Sequence, residues 1–179
     1  MKILKIFLIV VVSIAALVLI LAAFTKNEIN VTKEVVINKP KSEVFSYIKN
    51  IKNQDKYNKW VMADPNVRRE YVGTDGTPGF IMKWDSENKE VGKGEQEIKK
   101  VIEGDRIDSE VRFLKPFEGK ADSYMSTESI SADQTKVKWG LYEKMKYPMN
   151  LMLMFVDIPE MLGNDMVVSL HNLKVVMEK

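Results

Sequence analysis

The chain of 179 residues has no cysteine and a single histidine, His171. It therefore has no disulfide, thiolate zinc site, iron–sulfur cluster or cysteine nucleophile, and one imidazole cannot make a multi-histidine metal site. Glycine and proline are sparse, at 9 and 6, while Val and Ile are abundant, so collagen-like and disordered classes are excluded. No run of Lys or Arg exceeds two residues. Lys2, Lys5 and Lys26 lie in the first 26 residues, leaving 24 basic against 25 acidic residues beyond them. That part is close to neutral and lacks the concentrated positive charge of a nucleic-acid binder, so no nucleic-acid partner is expected. There is no phosphate-loop ending after Gly73-Thr74-Asp75-Gly76 and no nucleophile-elbow motif, so no metal, nucleotide or other cofactor is expected.

What is present is unevenly placed. Of the first 24 residues, 21 are apolar, and Ile6 to Phe24 carries no charge. As a helix this run is about 28 Å long, close to the hydrocarbon thickness of a bilayer. It is longer than the apolar region of a secretory signal, and Ala23-Phe24-Thr25 is a poor cleavage site. An uncleaved single-pass anchor over residues 1–26 is the expectation, with a cleaved signal peptide or a buried core helix as alternatives. Lys2 and Lys5 before the span favour an N-terminus on the cytoplasmic side and a domain, 27–179, on the other. No second run is long enough to span, so a multi-spanning protein is excluded.

Past the leader the hydrophobic period alternates between that of strands and that of helices. A β-branched run predicts a strand over about 29–38, stopped by Pro40. Val44, Phe45, Ile48 and Ile51 at helical spacing predict a helix, followed by a short one ending near Trp60. Strands are expected over about 67–72, 80–85, 91–103, 106–115, 120–131 and 135–146, joined by short turns that imply antiparallel neighbours. The segment Met149 to Val156 is expected to be an apolar helix, interrupted at Pro159 and Gly163, with a terminal helix resuming near Asp165. The fold class is thus α+β, with a curved antiparallel sheet wrapped around a long C-terminal helix.

The last strand has the clearest alternation. Val137, Trp139, Leu141, Glu143 and Met145 share one face, and that apolar face holds one carboxylate. Buried in ionised form it would be costly, so Glu143 either has a raised pKa, stands at the open end of the strand, or pairs with a cation. Met145, Met149, Met152 and Met154 fall within ten residues. Flexible thioethers suit variable apolar ligands and equally suit a packed core.

Several stretches resemble a known superfamily. They are Val36-x-x-x-Pro40-x-x-x-Val44-Phe45-x-x-Ile48, Trp60, Gly92-Lys93-Gly94-Glu95, Arg106-Ile107 and Phe113-Leu114-Lys115-Pro116. Thr135-Lys136-Val137-x-Trp139-Gly140, Tyr147-Pro148-Met149-Asn150-Leu151 and Leu170-x-Asn172-Leu173-Lys174 complete the set. In order and spacing they resemble the SRPBCC or START-like superfamily, in its polyketide cyclase-like branch, over about 29–178. The resemblance implies a helix-grip fold with a cavity between sheet and C-terminal helix, able to hold a lipid or other hydrophobic small molecule. It does not imply a reaction, since fold alone does not fix function. Expected cavity residues are Trp60, Phe80, Met82, Trp84, Phe113, Trp139, Leu141, Met145, Met149 and Met152. If the protein were a cyclase or dehydratase, Glu143 or Tyr124 would move the proton. A third reading is an interaction domain whose cavity is filled by its own side chains.

Overall fold

The computed structural model describes residues 2–89, 91–116 and 118–179. Helix α1 (Lys2–Phe24) leads into strand β1 (Glu28–Ile37), helix α2 (Lys41–Ile48), a 3₁₀ turn (Ile51–Lys56) and the short α3 (Lys59–Met62). Strands β2 (Arg68–Val72), β3 (Ile81–Asp85), β4 (Lys93–Ile102), β5 (Arg106–Lys115), β6 (Gly119–Ser131) and β7 (Gln134–Lys144) follow. A second 3₁₀ segment (Met149–Met154) and helix α4 (Ile158–Met177) end the chain. The seven strands form one antiparallel sheet in the order β1-β7-β6-β5-β4-β3-β2.

Residues directly opposite each other in an antiparallel ladder share a face. The register joins Val31 to Leu141, Lys33 to Trp139, and Trp139 to Met125, so these side chains stand on one side with α4. Helix α4 packs chiefly on β1, with Gly163 set directly above Val31 and Lys33. A side chain at Gly163 would begin 2.7 Å from Lys33 Cε. Met166, Leu170 and Leu173 of α4 and Ile29, Ile37 and Val137 of the sheet are fully buried between them.

Two expectations about the C-terminal region change. Pro159 and Gly163 do not interrupt the helix. Proline lies in the first turn of α4, where its missing N–H would be unpaired anyway, and Asp157 caps that turn by accepting from Glu160 N at 3.0 Å. Gly163 is needed for close packing, not for a break. The segment 149–154 is a 3₁₀ turn and not a sheet-packed helix.

The loop Gly73 to Gly79 ties the sheet to the helices. Asp75 accepts from the N–H groups of Ile51 at 2.8 Å and Lys52 at 3.1 Å, satisfying donors at the start of the first 3₁₀ turn. That docking brings Val44, Phe45, Ile48, Ile51 and Tyr57 into the core at the end of the sheet far from α1.

Gly94 in β4 shows where the sheet permits no side chain. A Cβ there would lie 2.4 Å from Trp84 Cζ2 and 2.5 Å from the Arg112 carbonyl oxygen. The ring can swing aside, but the backbone of the neighbouring strand cannot. We expect Gly94→Ala to lower stability by about 1–3 kcal/mol, read from denaturant unfolding in detergent, because overpacking against a backbone does not relax.

Candidate functional site

The concave face of the sheet is sealed unevenly. Where α2 and the first 3₁₀ turn plug it, Ile37, Phe80, Ile98, Ile107 and Val137 are buried. At the opposite end the register lines up Trp84 with Gly94 and Gly94 with Phe113, then Phe113 with Gly119. Trp84, Val111, Phe113, Glu143 and Met145 there are only half-buried. This is the end from which α1 departs, since Asn27 O accepts from Met145 N at 2.8 Å.

Aromatic groups line the hollow so formed. Trp84 meets Phe113 edge-on at 6.3 Å, lying across the space left by Gly94. Trp60, carried by α3, meets Trp139 edge-on at 5.5 Å, with ring planes 71° apart. Both geometries are the favoured edge-to-face kind. Each indole N–H is satisfied: Trp60 donates to Asp165 Oδ2 at 2.9 Å, Trp139 to Ser123 Oγ at 2.9 Å, and Trp84 to Val91 O at 3.2 Å. Lys59 also pairs with Asp165, and Arg69 donates to Val61 O at 2.7 Å. Helix α3 is therefore strapped to α4 on one side and to β2 on the other, spanning the concave face as a roof.

Trp60, Met82, Trp84, Phe113, Trp139, Leu141 and Met145 thus belong to one concave surface. Phe80 shares it but is buried at the plugged end, stacked on Tyr71 at 6.1 Å. Two expected wall residues lie elsewhere. Met149 and Met152 belong to the second 3₁₀ segment beside α1, and Met152 is 44% exposed. Leu153, Leu162 and Val61 pack against the core where those methionines were expected. The almost wholly apolar composition of 149–156 does not distinguish inward from outward side chains, and in the 3₁₀ turn Asn150 is buried while Met152 and Met154 are exposed.

Tyr124 also points away. It pairs in register with Gly140, and its ring lies over that glycine on the convex face, with the Arg106 guanidinium 3.9 Å from the ring centroid. It lines a separate polar groove of about 580 Å³ on that face, with Asn30, Thr32, Asp108 and Tyr142 among its neighbours. A proton shuttle by Tyr124 inside the concave hollow is excluded by this orientation.

Glu143 does face the hollow. In register it stands between Ile29 of β1 and Ala121 of β6, both fully buried. Its Oε1 lies 3.1 Å from where a Gly119 side chain would begin, and that point is 3.6 Å from the Phe113 ring. Among the described residues no hydrogen bond or ion pair reaches its carboxylate. Loss of water around the group pushes its pKa above the ordinary carboxylate value. Sequence reasoning missed Lys33, which runs along the same face beneath Gly163. Its only signal was an outlying charge in register with Val31, Val35 and Ile37.

No protein-family model matches the sequence, and no curated protein matches it. Many solved structures share its fold. A norcoclaurine synthase point mutant from Thalictrum flavum, bound to a transition-state analogue, is 11% identical with a TM-score of 0.58, over 85% of this chain and 97% of that one. The Aha1 dimer from Colwellia psychrerythraea is 15% identical with a TM-score of 0.56, over 84% and 96%. Ara h 8.0201 is 15% identical with a TM-score of 0.55, over 84% and 95%. At these identities the likeness shows the fold alone, an antiparallel sheet with a long C-terminal helix, and singles out no family or branch. The fold carries an enzyme in the synthase, so it does not decide whether this chain is one.

The raised pKa of Glu143 has a definite sign. Its ionised form is disfavoured by folding, so its contribution is most favourable below the unfolded carboxylate pKa and is lost as pH rises through the raised folded value. Relative to wild type, Glu143→Gln should therefore gain stability between pH 4 and pH 7.5, in paired thermal melts at the two pH values. An unchanged difference would show that the carboxylate is well solvated.

Proposed function

We propose that this protein is a membrane-anchored binding protein that holds a hydrophobic small molecule or lipid against the concave face of its sheet. Residues 1–26 form a single-pass anchor, and 27–179 form the binding domain, facing the extracytoplasmic side. The observation that carries this reading is the half-covered strip formed by Trp84, Val111, Phe113 and Met145, beside the buried Leu141 and roofed by Trp60. It is apolar, concave and lined by rigid aromatics, the general make-up of a small-molecule pocket. Burying about 400 Å² of apolar ligand surface contributes roughly 10 kcal/mol before ordering costs, enough for micromolar binding. Helix α1, long and apolar enough to cross a membrane and almost wholly exposed along its length, supports the anchor.

A second reading rests on Glu143. A half-buried carboxylate without a partner, beside an aromatic wall, is suited to take a proton from a bound carbon acid, as a cyclase or dehydratase requires. In the binding reading the same group accepts a hydrogen bond from the polar end of an amphipathic ligand.

The binding reading is tested by native mass spectrometry of full-length protein extracted in mild detergent, with titration of an apolar fluorescent probe. Val111→Arg places a charge in the half-buried strip between Gln96 and Ala121. It should weaken probe binding at least tenfold, about 1.4 kcal/mol, with little change in melting temperature. Equal affinity in the variant would remove the strip from the binding site.

A further inference from the structure

The chain segment between β7 and α4 is arranged around the exit of α1. Asn150, 2% exposed, donates from Nδ2 to the carbonyls of Ala22 at 2.8 Å and Thr25 at 3.0 Å. The Tyr147 hydroxyl donates to Leu19 O at 2.9 Å, and the Thr25 hydroxyl contacts Met154 Sδ at 3.2 Å. The last carbonyls of a helix lack an i+4 partner within it, so the Asn150 bonds to Ala22 and Thr25 complete the end of α1, and the Tyr147 bond to Leu19 adds a second tie that holds the segment against it. The same segment leaves large apolar side chains in solvent, Phe155 at 82% and Met154 at 54%, and the first turn of α4 adds Met161 at 60%. Met154 touches Thr25, the residue after Phe24, which is itself 88% exposed, while Lys26, Lys144 and Lys146 stand exposed nearby in sequence.

We propose that the face formed by Tyr147, Met152, Met154, Phe155 and Met161 docks into the interfacial layer of the bilayer that α1 spans, and so turns the open end of the concave hollow toward the lipid. The inference rests on the anchor reading and adds a second membrane contact to it. Depth is set by geometry. Leu19 is five residues before Phe24, so its carbonyl lies about 8 Å inside the end of the helix. The Tyr147 hydroxyl bonded to that carbonyl thus reaches below the end of the apolar run into the outer hydrocarbon, where the helix carbonyl satisfies its donor. The 3₁₀ turn satisfies part of its own backbone, which suits this layer, and the flanking lysines can reach anionic headgroups. Large apolar side chains left exposed this close together in the chain are costly in water and mark an interaction surface. Since Met145 joins Asn27 at the same end, the strip of Trp84, Phe113 and Glu143 opens toward this layer, and an apolar ligand can pass between membrane and hollow without crossing water.

The absence of cysteine makes the test direct, because one introduced thiol is unique. Full-length Phe155→Cys, Thr74→Cys and Val12→Cys would each be labelled with bimane and reconstituted in phosphatidylcholine vesicles with a minority of phosphatidylglycerol. The vesicles carry lipids nitroxide-labelled near the headgroup or near the bilayer centre. Thr74 lies in the exposed loop at the far end of the sheet, and Val12 lies in the middle of α1. The expected result is quenching at position 155 by the shallow nitroxide at least about threefold stronger than at position 74, with position 12 quenched by the deep one. Quenching at 12 with none at 155 overturns the docking face and leaves the anchor standing. A blue-shifted but unquenched label at 155 means that protein covers the patch, which also overturns it. Absence of quenching at 12 removes the anchor reading and this proposal with it.

Discussion

One helix cannot cover a seven-stranded sheet. Strands about 4.8 Å apart make the sheet roughly 29 Å wide, whereas a helix with its side chains is about 10 Å across. Helix α4 takes the β1 and β7 side, and Gly163 draws it close enough to exclude water there. The remaining concave area must be covered by something else or stay open. At the end far from α1 it is covered by α2, the first 3₁₀ turn and Tyr57, whose fully buried hydroxyl has its pKa raised by loss of solvent. At the near end, among the described residues, the short α3 is the helix that reaches over it, which leaves the aromatic strip half-covered. The hollow is thus a consequence of unequal widths, and its position follows from which end of the sheet the helices plug.

Polar straps hold the roof, together with the packing of Trp60 and Val61 on the core. Helix α3 is only four residues long and has no fully buried side chain. Trp60 and Lys59 bind it to Asp165 of α4, Asn58 caps it, and Val61 O accepts from Arg69. A short helix has little stability of its own, so its place is set by these contacts. Such an element is the natural one to yield when a ligand enters, because local openings draw on regions with few buried apolar contacts.

Much of this architecture was legible in the sequence. The alternation of Val137, Trp139, Leu141 and Glu143 placed the inner face of β7 correctly, and β1 and β4 to β6 lie within a few residues of their expected bounds. What misled was local chemistry read without its partner. Pro159 and Gly163 look like breakers in one dimension, yet one opens a helix and the other fits it to a sheet. The Met-rich stretch looked like core because its composition is apolar, but composition does not say which solvent a side chain meets. Tyr124 was assigned to the cavity by its chemistry alone, whereas the register with Gly140 sends it outward. Lys33 was invisible as an inward residue because a charge in a strand reads as solvent-facing, whereas its Cε and Nζ lie 2.7 Å and 3.2 Å from where a Gly163 side chain would begin.

Glu143 is the point at which binding and catalysis part. A general base must sit within hydrogen-bond reach of the proton it removes, and it needs a second group to stabilise the charge that develops. The neighbours of Glu143 in the sheet are Ile29 and Ala121, and the nearby wall is the Phe113 ring; none can stabilise an oxyanion. Lys33 is four residues further along β1, opposite Trp139 and not opposite Glu143. An enzyme built here would have to draw its electrophile from the ligand or from Lys33 after a rearrangement. A binding protein needs only what is already present: an apolar strip for the body of an amphipathic molecule and one acceptor, near the open end, for its polar head.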